Sequence, residues 1–288
     1  MTRLALLHST IRKEEKLIIE SAIRRGVEVK LIDLRGMILD PVHFEVDFDL
    51  ALERSVSTVK GNYAISFFES LGVPVVNSLK VATICQDKFL TSMCLLKAGV
   101  PTPKFALAFD LEKAIEAVDY LGGFPVVIKP PLGSWGRLLA KVNDVDALEA
   151  VFEHKDVLGG PQQKALYMQE YVEKNGRDIR AFVTGQEVIC AVYRTSEHWI
   201  TNTARGARTE NCPLSDELVE VSRLAAQAIG EGLLALDIFE TQDGFKVNEV
   251  NHTMEFKNSE EPTGVSISSA IVDYGLRYLK ENRFGSSN

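Results

Sequence analysis

Two acidic residues and an amide stand close together near the end of the chain. The run LLALDIFE (233–240) sets Asp237 among apolar residues, where a lone carboxylate is costly to bury. After a TQDG turn, FKVNEVN (245–251) brings Glu249 and Asn251. Side chains alternate along a strand with period two, so these two share a face. If the turn closes a hairpin, Asp237 lies beside both. Three hard oxygen donors on a rigid sheet suit magnesium, which keeps some water and takes its other ligands from phosphate. The alternative is a buried aspartate satisfied by hydrogen bonds, with Glu249 and Asn251 as solvated strand residues.

A phosphate needs cations and main-chain donors. PVVIKP (125–130) ends an apolar run with Lys129, whose stem those residues can hold. GSWGR follows four residues later, and its Gly133 and Gly136 let backbone N–H groups approach an anion closely. This is not GxxxxGK[ST] and it precedes a strand, so a P-loop is excluded. Lys88, at the start of a helix, is a second candidate, although an isolated lysine is usually a surface residue. In MQEYVEKNGRDIR (168–180), Gln169–Glu170–Tyr171–Val172 closes a strand and frees backbone groups to read an adenine edge. Asp178 and Arg180 alternate onto one face, fit for ribose or phosphate contacts. An ordinary hairpin with a salt bridge is the competing reading of that stretch.

The elements that must position these residues follow from periodicity. RLALLH (3–8) reads as a strand, 11–25 as a helix stopped by Gly26, and VEVKLID (27–33) as a second strand. ALERSV (51–56), a helix near 60–71 and VPVVNS (73–78) continue the alternation, giving an α/β unit. A helix over 87–98 ends at Gly99, with Pro101 and Pro103 beyond. Strands at 104–109, 125–130 and 165–172 and helices at 111–121 and 144–153 follow, with an apolar strand after the glycine turn of 131–142. The remainder is strand-rich, with strands at 178–185, 187–194, 233–240 and 245–251 and helices at 215–230 and 265–281. The tail RFGSSN is expected to fray. No GxGxxG follows the first strand, which disfavours hydride transfer.

Bulk properties narrow the class. The 288 residues are 45% hydrophobic and 25% charged, ordinary for a globular chain. A net charge of −8 argues against wholesale nucleic-acid binding. No apolar run nears the roughly 18–20 residues of a membrane span, and MTRLALLHST is too soon polar for a signal peptide. A cytoplasmic location, away from membranes, is expected. Cys85, Cys94, Cys190 and Cys212 show no CxxC spacing, so free and mostly buried thiols are expected.

Taken in order, Lys88, Lys129, the GSWGR loop, QEYV, GRDIR and the Asp237/Glu249/Asn251 set resemble the ATP-grasp superfamily. The likeness covers nearly the whole chain. It implies an α/β (α+β) fold of three subdomains, with ATP between two antiparallel sheets. The expected units are 1–86 (an N-terminal α/β domain), 87–169 (central, with the phosphate loop) and 170–288 (C-terminal, with the metal site). Such enzymes are ligases that activate a carboxylate as an acyl phosphate and then join it to an amine. More narrowly, GSWGRLLAKV, QEYVEKNGRDIR, HWITNTARGA, ENCPL and VNEVNHTMEFKN resemble the LysX group, related to the RimK-like glutamate ligases. Members attach 2-aminoadipate through its α-amino group to the C-terminal glutamate side chain of a small acidic carrier protein, LysW, in lysine biosynthesis. The related ArgX enzymes do so with glutamate in arginine biosynthesis. Asn258 after Glu255–Phe256–Lys257 goes with the aminoadipate enzymes, since the glutamate enzymes tend to carry Gly-Phe there.

The resemblance implies roles for particular residues. ATP lies with its adenine against Glu170–Val172, flanked by Gln169, and its phosphates under Gly133, Ser134, Trp135, Gly136 and Arg137. Lys88 and Lys129 contact the phosphates, Lys129 also serving catalysis. Asp178 and Arg180 complete the nucleotide contacts, and Asp237, Glu249 and Asn251 hold magnesium, two ions being expected. Arg194 stabilises the transferred phosphoryl group and the later oxyanion. Arg194, Asn202, Thr203, Arg205 and Asn258 take the amino acid. His198 is read as packing or positioning, His252 as ambiguous. Arg54 and Ser55 either face the cleft or lie on the surface. Arg205, Arg208 and Lys257 are candidates for a local basic groove that meets the carrier. One departure is visible: the family's TARGG reads Thr203–Ala204–Arg205–Gly206–Ala207 here, so an alanine stands where a positive φ would disfavour it. A homo-oligomer, dimer or tetramer, is expected from relatives. Rival readings are a ligase joining free amino acids or adding glutamates to a protein tail, and a non-catalytic nucleotide-binding regulator that would lose the metal set and Arg194.

Overall fold

The computed structural model describes residues 1–133, 138–160, 164–201 and 206–284. The chain opens with a parallel sheet in the order β2-β1-β3-β4, built from β1 (Arg3–His8), β2 (Glu28–Asp33), β3 (Leu50–Glu53) and β4 (Val75–Val76). Period-two alternation divides β1 between two cores. Leu4 and Leu6 pack with Ile18 and Ala22 of α1 (Lys13–Arg24) and Ile271 of α9 (Ile267–Phe284). Ala5 and Leu7 pack with Ile65 and Phe68 of α2 (Thr58–Ser70) and with Ala82 of α3 (Leu79–Gln86). Glu15 closes a capping box on the Arg12 backbone at 2.8 Å and so starts α1.

α4 (Lys88–Lys97) follows α3 directly, and the Asp87 side chain caps it by accepting from the Phe89 and Leu90 amides. A four-stranded antiparallel sheet, β5-β8-β6-β7, comes from β5 (Phe105–Ala108), β6 (Val126–Lys129), β7 (Ala140–Val142) and β8 (Leu166–Glu170). Its Val126, Ile128, Leu166 and Met168 face α5 (Leu111–Leu121) and α6 (Val145–Leu158). The alternate residues Val127, Lys129 and Gln169 look the other way, into a cavity.

The third sheet is antiparallel with five strands, ordered β11-β10-β9-β12-β13. They are β9 (Arg177–Thr184), β10 (Glu187–Thr195), β11 (Arg208–Cys212), β12 (Leu233–Thr241) and β13 (Gly244–Asn251). One face is largely apolar: Ile179, Ala181, Leu234, Leu236 and Val247 pack against α7 (Asp216–Ile229), α3 and α4, and the ion pair of Arg177 with Glu240 lies at its end. The other face changes along its strands. Phe182, Val192 and Ala235 join the core shared with β1, α1 and α9. Asp178, Arg180, Arg194 and Asp237, one or two alternations further on, line the cavity instead.

The α/β class and two facing antiparallel sheets agree with expectation. Three short elements departed from it: α3, β11 and α8 (Glu260–Thr263) were not foreseen. Also, β3 ends at Glu53, so residues 54–56 are a loop and not strand. The tail from 285 lies outside the described residues.

Asn77 joins the first unit to the third sheet. Its side-chain amide donates to the Leu233 carbonyl at 2.9 Å and the His252 carbonyl at 2.6 Å, and its oxygen accepts from the Leu233 amide at 2.7 Å. With Asn77 buried, Asn77→Ala strands three main-chain groups. A loss of about 3 kcal/mol is expected, read as a lower urea midpoint at unchanged slope.

Candidate active site

A row of charges crosses the third sheet. Arg194 of β10 stands opposite Asp178 of β9, and Asp237 of β12 opposite Arg180 of β9 on one side and Glu249 of β13 on the other. The Arg194 guanidinium donates twice to Asp178, at 2.7 and 2.8 Å, and its Nη2 reaches Asp237 at 3.1 Å. Arg180 donates twice to Asp237, at 2.8 and 3.0 Å. Burial alone would raise the Asp237 carboxyl, but Arg180 and Arg194 more than offset it and hold it well below the usual range. Burial would likewise weaken the charge on Arg194, and Asp237 and Asp178 hold it fully protonated. Arg194 is buried, yet its Nη1 has no hydrogen-bond partner among the described residues.

The row forms one wall of a cavity of about 730 Å3. The central sheet supplies the facing wall through Lys129, whose Nζ donates to Gln169 Oε1 at 2.6 Å and Asn248 Oδ1 at 2.8 Å. Both partners are neutral amides. Burial pushes the Lys129 ammonium down to about 7, Glu249 working against that and Lys88 with it. Lys88, at the start of α4, donates to the Gly133 carbonyl at 2.6 Å and lies 3.6 Å from Glu249. Val127, Leu139, Tyr171, Val172 and Phe239 line the apolar part, where a flat aromatic base would find cover. Glu170 is tied to the Lys104 amide at 3.0 Å and to Lys246 at 2.8 Å.

The structure brings together most of the residues expected to act. Lys88, Lys129, Gly133, Gln169, Glu170, Tyr171, Val172, Asp178, Arg180, Arg194, Asp237, Glu249 and Asn251 all line the one cavity. Ser134, Trp135, Gly136, Arg137, Asn202, Thr203 and Arg205 lie outside the described residues. Arg208, Lys257 and Asn258 are exposed and do not line the cavity, Asn258 accepting from the Thr209 hydroxyl at 2.8 Å through its carbonyl. Ser55 faces the cavity, whereas Arg54 is neither surface nor wall: it is buried on Glu15 at 3.1 Å and the Met254 carbonyl at 2.9 Å. His198 is exposed and stacks on Trp199. His252 lines the cavity, and burial drives its imidazole down to about 4, so it is neutral. Ala207 carries no strain, because the positive φ, 87°, belongs to Gly206.

Several wall residues escaped the sequence reading, Asn248, Lys174 and Glu53 among them. Asn248 should point away from Glu249 by alternation, but the register slips between Asp237 and Ile238, leaving it an extra residue in β13. A bulge of this kind re-aims side chains, and Asn248 and Glu249 both reach the cavity. Lys174 sits in a turn with no periodicity to betray it. It donates to Thr201 at 2.7 Å and lies 3.8 Å from Asp178. Thr201 in turn donates a short hydrogen bond to Asp178.

The donor set between β12 and β13 fits magnesium. It comprises two carboxylates on paired residues and an amide two residues on, all hard oxygens facing the cavity. Among the described residues no three His, Cys, Asp or Glu cluster, so they offer no site built from those side chains alone.

Residues 85–274 match the RimK-like ATP-grasp domain, and residues 4–84 match the LysX preATP-grasp domain. The chain is 36% identical over 274 residues to the alpha-aminoadipate–LysW ligase LysX of Saccharolobus solfataricus, covering 94% of this chain and 99% of that one. The chain belongs to the RimK-like ATP-grasp ligases, in their LysX/ArgX group. The glutamate–LysW ligase ArgX of Sulfurisphaera tokodaii is 32% identical over 286 residues, covering 97% and 99% of the two chains. The crystal structure of a RimK domain ATP-grasp protein from Sphaerobacter thermophilus superposes with a TM-score of 0.77 at 28% identity, covering 96% of this chain and all of that one. This ligase is therefore an ATP-dependent carboxylate–amine ligase, and the cavity between its two antiparallel sheets is the ATP cleft of the fold, where magnesium is the usual metal.

The ligase should bind nucleotide more weakly as pH rises through about 7, because only charged Lys129 attracts phosphate. Titration calorimetry between about pH 6 and 8 should show the native dissociation constant rising several-fold. Lys129→Met should bind weakly at every pH and lose that slope.

Proposed function

We propose that this ligase joins the α-amino group of 2-aminoadipate to the C-terminal glutamate side chain of a small acidic carrier protein of the LysW kind. The reading is carried by similarity to a LysX protein along nearly the whole chain, together with Asn258 directly after Glu255–Phe256–Lys257. Glutamate is the competing amino acid, since the ArgX relative is similar over as much of the chain.

In this reading the adenine lies among Val127, Tyr171, Val172 and Phe239, and the phosphates lie toward Lys88, Lys129 and Gly133. Lys129 suits the phosphates best. Among the described residues no carboxylate lies within ion-pairing distance of its Nζ, so its charge is free to answer theirs. Asp237, Glu249 and Asn251 would hold magnesium, two ions in this proposal, which supplies charge neutralisation to the phosphates when bound.

The carrier's glutamate carboxylate attacks the γ-phosphorus, forming an acyl phosphate and releasing ADP. The two lysines position the phosphates for in-line transfer. Arg194 is held by Asp178 and Asp237 in the cavity wall, where its guanidinium would stabilise the moving phosphoryl oxygens and then the tetrahedral oxyanion. The amine then attacks the acyl carbon, and inorganic phosphate leaves.

Phosphate release from Mg-ATP should require the carrier and an amino acid together, and the intact carrier should gain the mass of aminoadipate. Equal gain with glutamate would make the ligase bifunctional. Release stimulated by free amino acids without any carrier mass change would move it to ligases of small molecules. Lys257→Ala should raise the carrier's KM about threefold at low salt and leave that of ATP alone, as an exposed charge at the rim would.

A further inference from the structure

Among the described residues the cavity wall contains six carboxylates: Glu53, Glu170, Asp178, Asp237, Glu249 and Glu255. Five have a cation beside them. Glu170 has Lys246 at 2.8 Å, Asp178 has Arg194 at 2.7 Å, and Asp237 has Arg180 at 2.8 Å. Glu255 has Arg12 at 3.0 Å, and Glu249 has Lys88 at 3.6 Å. Glu53, at the end of β3, is different. Its Oε1 accepts from the Ser55 amide at 2.6 Å and from the Ser55 hydroxyl in a short bond, and no lysine or arginine of the described residues pairs with it. It is 5% exposed.

Room for this carboxyl is kept by a glycine. A Cβ on Gly61 of α2 would come within 2.9 Å of Glu53 Oε1 and 3.1 Å of Ser55 Oγ. The carboxyl is thus packed in place, bonded along one edge only, in a cavity otherwise rich in positive charge. Besides magnesium, the cation that the reaction brings is the ammonium of the incoming amino acid. Arg12, Lys88, Lys129, Lys174, Arg180 and Arg194 also line the wall and would repel an ammonium. Among the described wall carboxylates, Glu53 is the one with no lysine or arginine in ion-pair contact to compete with an ammonium.

We propose that Glu53 receives the α-ammonium of the incoming amino acid and takes its proton, releasing the amine for attack. This rests on the acyl-phosphate reading given above. Two N–H bonds break in all: the ammonium's first proton passes to Glu53 before attack, and the second leaves the nitrogen as the amide forms and is taken up by the departing phosphate. The nitrogen lone pair forms the C–N bond to the acyl carbon, and the C–O bond to phosphate breaks with its electron pair on the departing phosphate. Burial raises the Glu53 carboxyl above the ordinary range, which makes it the stronger base. Ser55, bonded to it, holds its orientation.

Hydroxylamine separates this role from a structural one, because it is largely neutral at pH 7 and needs neither capture nor deprotonation. With carrier and Mg-ATP, the unaltered ligase should form carrier hydroxamate. Glu53→Gln should form it at a rate within about twofold, while the KM of the amino acid rises about tenfold or more and turnover with it falls. The KM of ATP should not move. Gly61→Ala, which displaces the carboxyl without removing it, should show the same division if Glu53→Gln does not fold. Equal loss of hydroxamate and amino-acid product overturns the proposal, as does no loss of either. No hydroxamate from the unaltered ligase would remove the acyl-phosphate reading itself, and the proposal with it.

Discussion

Burying four charges on one sheet face is the constraint around which the rest of this structure is arranged. Asp178, Arg180, Arg194 and Asp237 lie side by side across β10, β9 and β12. An isolated ion there would cost several kcal/mol in lost hydration. The cost is tolerable because each carboxylate meets a forked guanidinium squarely, and that geometry requires the strand register to be right. A slip by one residue would turn all four toward α7 and bury them in a leucine- and alanine-rich core. The apolar half of the same face prevents that slip. Phe182, Val192 and Ala235, on the same strands, are locked into the core shared with β1 and α1. The first unit therefore does more than flank the cleft: its packing holds the register that makes the ion pairs possible.

Pairing also determines what is left to react. In a cavity where nearly every charge answers another, the exceptions define its chemistry. Among the described residues Lys129 is a buried cation held by amides alone, and Glu53 a buried acid held by a serine alone. The first stands in the sheet that faces the nucleotide wall, the second at the end of a strand of the N-terminal unit. A nucleotide triphosphate brings excess negative charge and an amino acid brings an ammonium. The two unanswered groups have the signs those ligands require. Sheet edges and bulges, not long loops, supply the fine placement, as Asn248 shows by reaching Lys129 only because β13 slips one residue.

Much of this was legible in the chain before any coordinates. Long elements such as α5, α7 and the hairpin of β12 and β13 carry strong periodicity and clear turns, and they stand within a residue or two of expectation. What escaped has physical reasons. The eight residues of α3 run into α4 with only Asp87 between, and no glycine or proline punctuates them. β11 is an edge strand whose RTENC has no alternation to read, and α8 is a single turn. Among the site residues, those on regular strands were found because alternation predicts facing. Glu53 was passed over because it ends a strand whose four residues are all buried, giving no contrast between its faces. Arg54 was misjudged because its partner, Glu15, lies 39 residues away on α1, a pairing that no local pattern encodes.

The net charge of −8 does not oppose recognition of an acidic partner. At physiological ionic strength charges are screened beyond about 8 Å, so a docking protein feels the patch it approaches and not the sum over the chain. Lys13 donates to the Lys257 carbonyl at 3.3 Å, which brings two exposed lysines together beside Arg12 at the rim of the cavity. Most acidic side chains within the cavity are already spent on internal pairs, so little negative field leaks from its mouth. An acidic tail such as the proposed carrier's would meet local positive charge outside and paired carboxylates inside. The one exception is Glu53, which would repel a carboxylate and attract an amine. In the proposed reaction the amino acid also carries two carboxylates, so Glu53 would draw its ammonium end and leave those carboxylates to the cations of the wall.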